Sequence, residues 1–164
     1  MNKPLVAIVV DSANDWDIMQ QAAQQLKDFG VAFDAHVISA HRSPDLLIEY
    51  VKDMTAQGVQ CFIAGAGGAA HLAGVVASKT TLPVLGVPIP SKYLKGMDSL
   101  LSTVQMPEGV PVATFAIGEA GAANAGLFAV AMLALNDGQL AARLSKFRKQ
   151  QADTIASTTL PPLS

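Results

Sequence analysis

A chain of 164 residues that is 51% apolar and only 15% charged is long enough to bury one core without disulfides or a structural metal. Its formal net charge of −2 supplies no electrostatic footprint for nucleic acid or an anionic membrane, and both are excluded as expected partners. So much apolar surface exceeds what a monomer of this size hides, so self-association is expected.

Met1-Asn2-Lys3-Pro4 leads directly into "LVAIVV" (5–10). No secretory leader pattern precedes the run, which predicts a cytoplasmic protein. The run itself is the kind buried on both faces of a parallel sheet. From Trp16 onward, Trp16, Met19, Ala23, Leu26 and Phe29 recur at helical spacing until Gly30 offers a stop. Residues 31–38 alternate Val31, Phe33, Ala35 and Val37 against Asp34 and His36, which predicts an edge strand with one wetter face. Ser43 and Pro44 supply an N-cap and a first-turn proline, and Leu47, Tyr50, Val51 and Met54 form a helical stripe ending near Gly58.

The third unit is "VQCFIAGAGG" with a helix beginning near His71, and the fourth is "LPVLGVP" (82–88) with a helix over roughly 97–104. A fifth strand is predicted at about 111–117, followed by an Ala-rich helix from about 120 to 135. Cys61, the single cysteine, lies in an apolar run and reads as a core residue in a reducing compartment. Two uncharged windows, 61–78 and 120–136, approach the length of a membrane span. A Gly cluster interrupts the first, and Ala, Gly and Asn124 make up the second, so both read as buried elements of an oligomer.

Five β-α units in succession predict a single three-layer α/β/α domain with a flavodoxin-like, five-stranded parallel sheet. Residues 138–156 add one C-terminal helix, with Leu140, Leu144, Phe147 and Ile155 on its apolar side. It has no strand of its own to cover, and is expected to pack on a neighbouring subunit in preference to the outside of its own domain. The tail "TTLPPLS" is expected to be frayed.

In a parallel sheet the strands' C-terminal ends share one edge, so loops 11–15, 39–43 and 65–71 can converge on one crevice. Ser12 and Asp15 precede a helix, where simple capping accounts for them as well as ligand binding does. His41 and Arg42 pair a proton carrier with a guanidinium suited to phosphate or carboxylate. Gly65, Gly67 and Gly68 let the backbone approach a ligand. "GAGGAA" matches a loose dinucleotide fingerprint, but about 20 residues on, where an acidic ribose-binding residue belongs, the chain reads "VLGVPIP". No P-loop, nucleophile elbow or H-E-x-x-H motif is present, and three dispersed His with one Cys make no zinc site.

Taken in order, "SANDW", "SAHRSPD", "IAGAGGAAHL", "PVLGVP", "GMDSLLSTVQMP" and "AIGEAGAANAGL" resemble the bacterial N5-carboxyaminoimidazole ribonucleotide mutases of purine biosynthesis, over about residues 5 to 150. The resemblance implies a cytoplasmic homo-octamer of flavodoxin-like subunits. Its reaction moves a carboxylate from the exocyclic nitrogen of the imidazole ribonucleotide to ring carbon C4, with no metal, ATP or organic cofactor. It implies His41 as the catalytic acid and base. It also implies Ser12, Asp15 and Arg42 as contacts to the nucleotide substrate, with Ser39 and the backbone near Ala66, Gly67 and Leu72 lining a water-excluding site. Arg42 followed by Ser43-Pro44-Asp45 points to the mutase class rather than to the animal-type carboxylases, which carry Lys after the His.

Three positions depart from the pattern of that family: Asp11 stands where Gly is usual, Asn14 where Ser is usual, and Ala73 where Pro is usual. They leave two alternatives, a family member with impaired or altered ligand binding and a nucleotide-binding module without turnover.

Overall fold

The computed structural model describes residues 3–163; Met1 and Asn2 of the leader reading and Ser164 of the tail lie outside them. Five parallel strands, β1 (Val6–Val10), β2 (Phe33–Val37), β3 (Cys61–Gly67), β4 (Val84–Ile89) and β5 (Ala113–Thr114), form one sheet in the order β2-β1-β3-β4-β5. The helices are α1 (Trp16–Asp28), α2 (Pro44–Gln57), α3 (Leu72–Ala77), α4 (Met97–Val104), α5 (Glu119–Ala134) and α6 (Gly138–Ser157), with a 3-10 turn over Ala13–Asp15. This is the expected flavodoxin-like arrangement.

The pleat of β1 divides the core. Val6, Ile8 and Val10 face α1 and α5 together with Met19, Leu26, Ala122 and Ala125. Ala7 and Val9 face the opposite layer, with Leu47, Val51, Leu72 and Val76. All five residues of β1 are buried, as a strand covered on both faces requires. At the sheet edge the alternation of β2 is realised. Phe33 and Ala35 pack on the first cluster, while Asp34 accepts the Tyr50 hydroxyl of α2 at 2.8 Å and lies 3.2 Å from His36 Nε2.

The Ala- and Gly-rich window is a close helix contact rather than a membrane segment. A Cβ on Gly126 would stand 2.7 Å from the carbonyl oxygen of Ala22, so a glycine there lets α5 approach the backbone of α1. The window at 61–78 divides between β3 and α3. Among the described residues no helix is long and apolar enough to cross a membrane. Cys61 is fully buried, and burial pushes its thiol up to about 12, which leaves it inert.

Three expectations need correction. The strand predicted at 111–117 pairs only over Ala113–Thr114, in register with Leu85 and Gly86. The N–H groups of Phe115 and Gly118 still reach Gly86 and Pro88 carbonyls, but Pro88 has no N–H to return, and the ladder stops. The fourth strand is shifted from 82–88 to 84–89. Ser43 holds the N-cap position of α2, yet its hydroxyl donates backward to the Ser39 carbonyl at 3.1 Å instead of capping the helix.

The proximal half of α6 rests on its own domain. Leu140 is buried, Leu144 and Phe147 pack against the α1/α5 cluster, and Phe147 meets Phe29 edge to face at 5.5 Å. Beyond Phe147 the helix is largely exposed, with Ile155 75% accessible, and residues 158–163 have no regular structure.

Candidate active site

β1, β2 and β3 are adjacent and parallel, so their C-terminal ends deliver the loops starting at Asp11, Ile38 and Gly68 to one edge. The first loop caps itself. Ser12 Oγ accepts the N–H of Asn14 at 3.3 Å, and the Asp15 carboxylate accepts the N–H of Ser12 at 3.0 Å. The bland capping role read from the sequence is therefore present, and it holds the hydroxyl and carboxylate together. Burial raises the Asp15 carboxyl pKa; the Ser12 N–H lowers it, and the nearby Asp11 charge adds a smaller upward push.

The second loop is built on Ser39, which is buried. Its Oγ accepts the Arg42 N–H at 3.3 Å and its carbonyl accepts the Ser43 N–H at 3.0 Å, which turns His41 and Arg42 outward over the crevice. Asp11 ties this loop to β1: its Oδ1 accepts the Ala40 N–H at 2.9 Å, and its Oδ2 lies 3.9 Å from Arg42 Nη2.

The third loop turns at Gly68, whose φ of +68° is one a side chain would strain. Gly67 is exposed at the crevice, Ala66 and Leu72 are buried beneath it, and Leu72 offers the site its backbone only. The loop is held from below by α4. Ser99 Oγ accepts the Gly68 N–H at 2.9 Å and donates to the Ile89 carbonyl at 2.6 Å, while Ser102 Oγ accepts the Ala70 N–H at 3.1 Å.

The two loops meet in a histidine pair. His41 Nε2 lies 2.7 Å from His71 Nδ1, with ring centroids 4.9 Å apart and the planes at 76°. At that distance one facing nitrogen carries a hydrogen and the other a lone pair, so the contact fixes the tautomers of both rings together. His71 was not among the residues singled out from the sequence, although its place directly after the glycine cluster and before a helix was a signal. Ser99 and Ser102 were missed as well. His41, Arg42 and His71 are all exposed, so a single chain presents an open crevice, not the water-excluding pocket that the resemblance implies. Among the described residues no group of three or more His, Cys, Asp or Glu is gathered to hold a metal ion.

A family model described as AIR carboxylase matches residues 5–154. The chain belongs to the AIR carboxylase family. Within that family it is similar to the N5-carboxyaminoimidazole ribonucleotide mutase of Brucella melitensis, 56% identical over 151 residues, covering 92% of this chain and 93% of that protein. It is also similar to the mutase of the same name from Saccharolobus solfataricus, 52% identical and covering 96% and 98% of the two chains. The crystal structure of Treponema denticola PurE superposes with a TM-score of 0.85 at 27% identity, over 93% of this chain and 94% of the other. This family member thus shares both fold and near-complete length with its relatives.

Proposed function

We propose that the chain is an isomerase that converts N5-carboxyaminoimidazole ribonucleotide into 4-carboxy-5-aminoimidazole ribonucleotide in purine biosynthesis. The observation that carries the reading is the 2.7 Å His41–His71 pair at the sheet edge of a chain that matches the mutases along almost its whole length.

In this reading His41 donates a proton to the exocyclic nitrogen as its bond to the carboxylate carbon breaks and CO2 departs. The pair of the broken bond forms the new N–H bond, and the lone pair of the resulting amine, conjugated through the ring, makes C4 nucleophilic; C4 attacks CO2, and the C4 hydrogen leaves as a proton to His41. One imidazole acts first as acid and then as base, and the proton count closes. His71 holds the ring of His41 in one orientation between the two transfers. Asp15 takes the ribose hydroxyls, and Ser12 and Arg42 face the phosphate. Ser39 and the backbone at Ala66, Gly67 and Leu72 complete the wall. Confinement of CO2 over the glycine loop replaces a covalent carrier by proximity.

The open crevice of one chain needs a cover, and the chain has the surface to recruit one. Tyr93 and Leu94 in the loop after β4 and Met97, Leu101 and Val104 on α4 are all exposed, and the last three share one helix face at i, i+4 and i+7. We infer a homo-octamer, as the family resemblance implies, in which the exposed distal half of α6 reaches a neighbouring subunit. The enzyme acts in the cytoplasm on a soluble nucleotide.

The test follows ultraviolet absorbance of carboxyaminoimidazole ribonucleotide with purified protein in the absence of ATP, alongside light scattering for the assembly. Wild type interconverts the isomers and His41→Asn loses about 10²–10⁴-fold in kcat. A folded wild-type protein as inert as His41→Asn would refute the assignment.

A further inference from the structure

Asp11 is, with Asp15, one of two carboxylates in the three crevice loops. One donor and one cation face it: the Ala40 N–H hydrogen-bonds Oδ1 at 2.9 Å, and the Arg42 guanidinium makes a long ion pair with Oδ2 at 3.9 Å. A backbone N–H and a guanidinium facing one point make a seat for an anion, and here the chain fills the seat itself. Arg42 is the only Lys or Arg in loops 11–15, 39–43 and 65–71. Its side chain is 79% exposed and that of Asp11 only 19%, so the cation is open to an incoming ligand while the carboxylate lies tucked beneath it. The Asp11 backbone is fixed by its N–H to the Gly65 carbonyl at 3.2 Å, which leaves only the side chain free to move. The second carboxylate, Asp15, feels the charge of Asp11.

Resting on the reading above, in which Arg42 receives the nucleotide phosphate, we infer that Asp11 is a specificity-determining residue that competes with the substrate's phosphate for Ala40 N–H and Arg42. A phosphate that enters must either turn the carboxylate out of its seat or share the seat with a like charge at short range. Both disfavour the phosphorylated ligand, and neither touches the part of the ligand that lacks the phosphate. The chain therefore discriminates less between nucleotide and nucleoside than the bare geometry of Arg42 would allow.

Calorimetric binding of 4-carboxy-5-aminoimidazole ribonucleotide and of its phosphate-free nucleoside, to wild type, Asp11→Asn and Asp11→Gly, tests this. In Asp11→Gly the nucleotide Kd is expected to fall roughly tenfold, the scale of one charged contact regained. The fall is smaller in Asp11→Asn, whose amide oxygen still accepts from Ala40, and the nucleoside Kd stays put in both. The gain shrinks at high salt and in an Arg42→Gln background. Unchanged nucleotide binding in both variants, or equal changes for nucleotide and nucleoside, overturns the inference. Asp11→Asn is isosteric and keeps the Ala40 bond, so it remains informative should the glycine variant fold poorly. Turnover by wild type, measured separately, tests the isomerase reading. An active enzyme whose Kd ignores Asp11 loses only this inference, and an inactive chain whose nucleotide affinity rises as stated loses only the isomerase reading.

Discussion

Loop 39–43, which carries His41, is tied to the end of β1 through a rim carboxylate, whereas loop 67–71, which carries His71, is tied to α4 through neutral hydroxyls. Asp11 makes the first tie, and Ser99 and Ser102 make the second. The first is partly exposed and charged, so salt and an anionic ligand can alter it. The second is uncharged and backed by buried Ser99, so a ligand's charge has little hold on it. The histidine pair thus joins a ring on a responsive loop to a ring on a fixed one. A helix that serves this purpose is necessarily inside out: α4 buries Ser99 and Thr103 while exposing Met97, Leu101 and Val104.

Four substitutions put the difference between the two loops to the test. Ser99→Val should do the most damage, because it leaves the part-buried Gly68 N–H and the buried Ile89 carbonyl without their partner. The expected loss is about 2–3 kcal/mol in denaturant unfolding, accompanied by a drop in kcat. A variant as stable and active as wild type would show that the α4 clamp is dispensable. His71→Asn removes the partner of His41 but leaves the loop intact. We expect kcat to fall about tenfold or more with KM little moved and the pH profile of kcat altered; an equal rise in KM alone would assign His71 to binding instead.

On the other loop the effect on stability is smaller. Asp11→Asn keeps the Ala40 bond and loses only a long ion pair with an exposed guanidinium, so unfolding free energy should shift by less than about 1 kcal/mol. A larger loss would mean that the rim carboxylate holds the fold as well as the loop. The smallest effect concerns Asp15. Its folded pKa is raised, so the native state binds the proton more tightly than the unfolded chain. Its contribution to stability therefore declines as pH climbs from the ordinary value of 3.8 through the raised one. Asp15→Asn, which still offers an oxygen to the Ser12 N–H, should remove that decline from a stability-against-pH curve while weakening ribose binding. An unaltered curve would refute the assignment of the shift.

Much of the fold was legible because apolar periodicity is a local property. The helix expected over roughly 97–104 is Met97–Val104, and that expected from about 120 to 135 is Glu119–Ala134. The strand expected at 111–117 was overextended because its length depends on Pro88, a residue in another strand that withholds a donor. For the site, strand ends alone indicated which three loops could meet, and the order β2-β1-β3 brings them to one edge. The partners of those residues were not legible. His71 stands 30 residues from His41, Ser99 stands 31 from Gly68, and Asp11 stands 29 from Ala40, so no spacing rule connects them.

Local patterning along the chain is enough for the alternation of strands and helices and the two-sided burial of β1, and it puts two imidazoles, one guanidinium and a glycine loop at strand ends. These follow from hydrophobic patterning and backbone conformational freedom, which act between near neighbours along the chain. The tertiary structure alone decided that His41 faces His71, that α4 turns its hydroxyls inward, and that Asp11 sits in the seat beside Arg42. Hydrogen bonds and ion pairs depend on distances of a few ångströms, and only the packing of the sheet sets those between residues far apart in the chain.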